Sequence, residues 1–296
     1  MKKTLFEGVA TALVTPMHED GSVDYEALDR LVDWQIAEGI NALVACGTTG
    51  EASTLTDEEH REVIARVVKR AAKRVPVIAG TGSNDLDYAL SLTKYACEAG
   101  ADAVLVVTPY YNKATQAGLV QMFTKIADES TAPVILYNVP SRTGVNIAPT
   151  TYKALCDHEN IIGIKEANGD ISKIVETMSY VHEKLDLYSG NDDQIVPLMS
   201  LGGKGVISVV SNILPAKTVE MAKKCLDGDY AGAAKLQYNL HAIIDSLFSE
   251  VNPIPVKAAT AKMGYGVNTL RLPLTPMSRD KYEKLLALMK EQGINV

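Results

Sequence analysis

A recurring alternation constrains this chain more than any other feature. Eight short runs rich in β-branched residues are separated by segments with helical periodicity. The runs are VATALV (9–14), NALVA (41–45), VPVIAG (75–80), DAVLVV (102–107), PVILYN (133–138), IIGIK (161–165), DLYSG (186–190) and GVISVV (205–210). Their starts lie about 20 to 35 residues apart, room for a helix and two loops between parallel strands. Segment 24–39 places Leu28, Leu31, Val32, Gln35 and Ile36 on one face, with Asp24 near its start and Gly39 at its end, as helix start and stop signals should. Segment 56–74 opens with Thr56 as N-cap and Glu59 three residues on, and its acids precede its bases; this is a capping box with charges matched to the helix dipole. Segment 85–100 repeats the helix-then-glycine pattern. Alternating strands and helices imply a parallel sheet, closed or doubly wound. The count of eight predicts a closed (β/α)8 TIM barrel. No GxGxxG follows the first run, which argues against a dinucleotide-binding sheet. Beyond about residue 225 the strand pattern stops, and segments 229–248 and 278–293 read as amphipathic helices. The expected organisation is an α/β barrel over 1–225 with a C-terminal helical region over 226–296.

Composition narrows the function classes. A chain 47% hydrophobic and 22% charged has enough apolar material for a sizeable core. Its 29 basic and 36 acidic residues give a net charge of −7, which argues against a general nucleic-acid binder. The basic stretch KRAAKR (69–74) reads as the solvated C-terminal end of a helix. Cys46, Cys97, Cys156 and Cys225 are scattered without a CxxC, so neither a redox motif nor a zinc knuckle is expected and a reduced, cytoplasmic protein is. Two lysines precede the first apolar run, but Glu7 and Gly8 interrupt it and no signal-like apolar core follows. No stretch of 18 apolar residues occurs, so no membrane span is expected. The five histidines are dispersed with no HExxH, and no GxxxxGK[ST] is present; neither a catalytic metal site nor a phosphate cradle is expected.

In such a barrel, chemistry belongs at the C-terminal ends of the strands. The second strand ends in CGTTGE with Thr48 and Thr49, the fourth in TPYYNK with Tyr110 and Tyr111, and the fifth in YNVPSRTG with Tyr137 and Arg142. The sixth ends an apolar run, Ile161, Ile162 and Ile164, on Lys165 and Glu166. Lysine is almost never fully buried without a partner. A desolvated lysine loses basicity and becomes a usable amine nucleophile. Each residue has an ordinary reading as well. A strand-end lysine is usually solvated, tandem tyrosines usually pack, an arginine after NVPS usually lies on a surface loop, and GGKG (202–205) more simply shapes the start of the eighth strand than holds phosphate.

The motifs together are more specific. GTTGE, YYNK, YNVPSRTG and GIKEA, in that order at the ends of strands two, four, five and six, resemble the pyruvate-dependent class I aldolase/lyase family. The resemblance spans the chain, from GVATALVTP to NPIPVK (252–257) in the helical tail. It implies that Lys165 forms an imine with pyruvate, with no metal and no cofactor, and that Tyr137 is the general acid/base. It further implies Thr48 and Tyr111 as relay partners, Tyr111 entering from a neighbouring subunit. Thr49 and the backbone of Ile207 would bind the pyruvate carboxylate, Arg142 the acceptor carboxylate, and Gly190 and Asn252 would lie near the pocket. Through the same resemblance, the two threonines and the arginine imply L-aspartate 4-semialdehyde as acceptor. N-acetylneuraminate lyases, similar in fold, typically carry serine at the first threonine. The alternatives are a related pyruvate aldolase acting on a sugar-derived acceptor, such as N-acetylneuraminate lyase or a 2-keto-3-deoxy sugar acid aldolase, and a silent ligand-binding barrel. The resemblance also implies a homotetramer, a dimer of dimers. Many relatives are inhibited by lysine at a dimer interface. His60, Asn84 and Tyr110 match that site, but Tyr88 replaces an acidic residue and Asp57 a histidine, so weak or absent inhibition is expected.

Overall fold

The computed structural model describes residues 2–296. Its strands are β1 (Gly8–Ala12), β2 (Ala42–Ala45), β3 (Val77–Gly80), β4 (Ala103–Val107), β5 (Val134–Asn138), β6 (Ile161–Glu166), β7 (Asp186–Ser189) and β8 (Gly205–Ser208). They form a closed parallel barrel in chain order, with β8 pairing back onto β1. All eight expected runs form strands, though β1 and β8 stop two residues before the ends of their apolar runs. Closure is tightest where β1 meets β8. A Cβ on Gly205 would lie 1.8 Å from the Gly8 carbonyl oxygen, so only glycine fits there.

Residue alternation separates two apolar layers. Ala10, Val44, Ile78, Leu105, Ile135 and Ile207 fill the lumen together with the rings of Tyr137 and Tyr188. Phe6 closes the N-terminal end, stacking on Tyr188 at 4.4 Å and accepting its hydroxyl at the backbone oxygen at 2.9 Å. The opposite strand faces meet the surrounding helices in a larger cluster that includes Val9, Leu43, Val104, Leu136, Ile164 and Val206. Each fully buried aliphatic side chain of this kind contributes about 1.5–3 kcal/mol.

The helices follow their capping signals. Asp24 caps Tyr25–Ala37 by accepting the Ala27 amide, and Ala27, Leu28, Leu31, Val32 and Gln35 are its buried face. The capping box of Thr56 and Glu59 is formed at the start of Asp57–Ala71. That helix ends before the basic run does, because Ala72 and Lys73 take left-handed backbone with φ of 48° and 60°. The basic run is not simply solvated: Arg70 and Arg74 both pair with Asp33, and Lys73 pairs with Asp102 at 2.7 Å. Asp85 caps Leu86–Glu98. Pro215–Leu226 is followed by Tyr230–Leu247, Ile254–Lys262 and Arg279–Glu291. Among the described residues no helix is long and apolar enough to cross a membrane.

Candidate active site

The direction of Lys165 depends on one extra residue. On β5, Val134 and Ile135 are consecutive, yet their partners on β6 are Ile161 and Gly163. Ile162 is therefore inserted as a bulge. Strict alternation from Ile161, which packs outward, would turn Lys165 outward as well, because side chains change face at every residue. The bulge reverses the phase: Ile164 packs outward and Lys165 faces the lumen, 6% exposed. Bulges beside active sites commonly re-aim a side chain in this way. Lys165 pairs in register with Tyr137 on β5 and Tyr188 on β7. Its Nζ lies 4.1 Å from the centre of the Tyr137 ring.

Other expected residues gather around this pair. Thr48, Tyr137 and Arg142 line one cavity of about 360 Å³, which continues past Tyr110 to His60 and Tyr88. Thr48 and Thr49 form a single turn after β2. The Asn252 amide nitrogen donates to Thr49 Oγ1 at 3.0 Å, and the Asn252 carbonyl accepts from Arg142 at 3.0 Å. Asn252 thus ties the threonine turn to the arginine loop. Ile207 is buried on β8, and Gly190 follows β7, its amide donating to the Glu166 carbonyl at 2.7 Å. A Cβ on Gly190 would lie 2.8 Å from that of Ala167, so the close approach of these two loops requires glycine. Tyr111 is not brought to the site within one chain: it is 93% exposed, at a φ of 68°.

Three buried carboxyl groups escaped the motif reading. Glu166 points away from the lumen into a pocket where Asn138 Nδ2 donates at 2.9 Å, the Asn168 amide at 2.9 Å and the Tyr152 hydroxyl at 3.1 Å. Burial outweighs these donors and pushes its carboxyl up to about 7. Asp192, after β7, accepts the amides of Val209 and Val210 at 3.0 and 2.7 Å. Burial raises its pKa, opposed by hydrogen bonds from Ser208 and those amides and by the charge of Lys165. The single signal in the sequence was position: Glu166 directly follows Lys165, and Asp192 lies in the loop after β7.

The third group, Glu51, closes the threonine turn and forms an ion pair with Lys257, both side chains at most 2% exposed. Desolvation lowers the Lys257 pKa, with the Glu51 charge opposing it. A buried pair contributes little over an apolar replacement, but losing one partner strands the other charge. Lys257→Ala is therefore expected to destabilise the fold by about 3–5 kcal/mol in urea unfolding, with the Glu51→Gln/Lys257→Met double variant recovering most of it. A single-variant cost below about 1 kcal/mol, the scale of an exposed ion pair, would contradict this.

Comparison with known proteins agrees with the geometry. The family model described as "Dihydrodipicolinate synthetase family" matches residues 5–292. A 4-hydroxy-tetrahydrodipicolinate synthase of Acetivibrio thermocellus is 52% identical over 99% of this chain and 100% of its own. Among solved structures, the chloride-inhibited dihydrodipicolinate synthase of Acinetobacter baumannii complexed with pyruvate superposes with a TM-score of 0.96 at 45% identity, covering 99% of this chain and 100% of that one. The enzyme of Cyanidioschyzon merolae with lysine bound gives 0.95 at 36% identity, covering 99% and 100%.

Proposed function

The chain belongs to the dihydrodipicolinate synthetase family, and from that premise we propose how its residues divide the work. It is a lyase of lysine and diaminopimelate biosynthesis that condenses pyruvate with L-aspartate 4-semialdehyde to 4-hydroxy-tetrahydrodipicolinate. The observation that carries the assignment of roles is the lumen-facing Lys165 amine against the ring of Tyr137. The Lys165 amine attacks the keto carbon of pyruvate, and loss of water with uptake of a proton leaves a protonated imine. The imine withdraws electrons and eases loss of a methyl proton, giving an enamine. The enamine carbon attacks the aldehyde, whose oxygen takes up a proton. The acceptor's own amine then displaces Lys165 and closes the six-membered ring. Each step moves a proton, and a phenol beside the amine can both give and accept one. Tyr137 fills that role, with Thr48 and Tyr111 as its relay.

Thr49 and the Ile207 backbone hold the pyruvate carboxylate, and Arg142 the acceptor carboxylate, which a guanidinium binds bidentately. The barrel over 1–225 supplies the chemistry, and the region 226–296 supplies Asn252, which braces both carboxylate-binding elements. Gly190 allows the loops after β6 and β7 to close on the pocket. The protein works as a cytoplasmic homotetramer, a dimer of dimers. This reading is supported by Tyr111, exposed with its backbone held in the left-handed region, and by exposed Ile171 and Val175 on the helix Ile171–Val181. Incubation with pyruvate and borohydride tests the imine: a reduced adduct on Lys165 is expected, and a protein that takes up none contradicts it.

The cavity beyond Tyr110 bears on regulation. Asp57 is held by Arg61 at 2.8 Å, and that hydrogen bond keeps its carboxyl below the usual range. His60 is buried against the Gly80 carbonyl, and burial lowers its pKa. Tyr88 offers a phenol where an ammonium needs a free anion. Asp57 Oδ1 is left without a partner among the described residues, but Arg61 already neutralises that carboxylate, so it offers a buried ammonium little against a desolvation cost of several kcal/mol. Weak or absent inhibition by lysine is expected in steady-state assays, and a sub-millimolar inhibition constant would refute it.

A further inference from the structure

We propose that Glu166 is a positioning residue for the Lys165–Tyr137 pair, acting from the far side of the two strands that carry it. The proposal rests on the imine reading above. Two consecutive register pairs end β5 and β6: Tyr137 with Lys165, and Asn138 with Glu166. Alternation sends the first pair into the lumen and the second outward. The outward pair is bonded directly, Asn138 Nδ2 donating to both Glu166 oxygens at 2.9 and 3.2 Å. The carboxylate also gathers the Tyr152 hydroxyl from the helix Pro149–Leu155 and the Asn168 amide from the loop after β6. Four segments therefore meet at one buried group, one residue beyond the reacting amine.

Asn138 extends the lock toward the acceptor side. Its Oδ1 accepts the Ile147 amide at 3.1 Å, and its Nδ2 also donates to Asn146 Oδ1 at 2.7 Å. This pins the far end of the loop that carries Arg142. Asn138 Nδ2 and the Asn168 amide are donors only, so an amide in place of Glu166 must aim its NH2 at Tyr152, turning that hydroxyl from donor to acceptor, and Asn138 Nδ2 loses its second oxygen. The strand ends would then shift, and with them the separation of Lys165 from Tyr137. Misplacing reacting groups by about 1 Å costs on the order of 10²-fold in rate.

The test uses the full chain with Glu166→Gln and Tyr152→Phe. The readouts are kcat, the pyruvate KM, and the initial rate of borohydride-trapped pyruvate adduct. Glu166→Gln is expected to lower kcat and the trapping rate about 10- to 100-fold, with pyruvate KM little changed. Tyr152→Phe, which removes one donor and keeps the ring, is expected to give a smaller loss of about fivefold. A purely structural role would lower the melting temperature and leave kcat per folded molecule intact, and that result overturns the proposal. If Glu166→Gln does not fold, wild-type kcat in Tyr152→Phe overturns it equally. Wild-type protein that forms no pyruvate adduct would instead refute the imine reading itself.

Discussion

Lys165→Ala is expected to abolish the borohydride-stable pyruvate adduct and to take turnover to background, a loss on the order of 10⁴-fold or more, as when a covalent nucleophile is deleted. Lys165 sits buried in the lumen with its amine against Tyr137, and imine formation needs an amine at that position. Lys257, the other buried lysine among the described residues, is engaged by Glu51 and belongs to the helix Ile254–Lys262, so it offers no substitute. The fold should survive, because alanine removes an amine from the lumen without stranding a hydrogen-bonded partner. Mass spectrometry of the reduced protein reads the adduct directly. An adduct persisting at undiminished yield in Lys165→Ala would remove this residue from the reaction.

Tyr137→Phe is expected to cut kcat about 10²–10⁴-fold, the usual cost of losing a positioned acid/base. The ring itself is part of the lumen packing, buried among Ile135, Tyr188 and Ile207, and phenylalanine keeps it. Loss of the hydroxyl should slow imine formation as well as the carbon–carbon step, since both move protons beside the same amine. Pyruvate KM should change far less than kcat, because the pyruvate carboxylate is assigned to Thr49 and the Ile207 backbone. Normal kcat in Tyr137→Phe would show that another group moves these protons.

The barrel was legible because its strands are short, β-branched and evenly interrupted by helices with intact caps at Asp24, Thr56 and Asp85. The placement of Lys165, Tyr137, Thr48 and Arg142 at one mouth followed from their position at strand ends. What the sequence hid has physical reasons. The bulge at Ile162 leaves no periodic trace in a run that is apolar on both faces, and only Gly163 inside the strand hinted at it. The helix Ile254–Lys262 went unread because Ile254 through Thr260 are all buried; a helix covered on every side shows no polar stripe. Glu51 with Lys257, and Glu166 with Asn138, are partners far apart in sequence, and pairing of that kind emerges only when the barrel closes.

The residue roles all converge on one reaction, the condensation itself. The most direct measurement is turnover of the purified protein with pyruvate and L-aspartate 4-semialdehyde, followed through a coupled reductase. Robust, pyruvate-dependent product formation is the predicted result. No turnover, with pyruvate still trapped on Lys165, would contradict it and move the acceptor to a sugar-derived aldehyde.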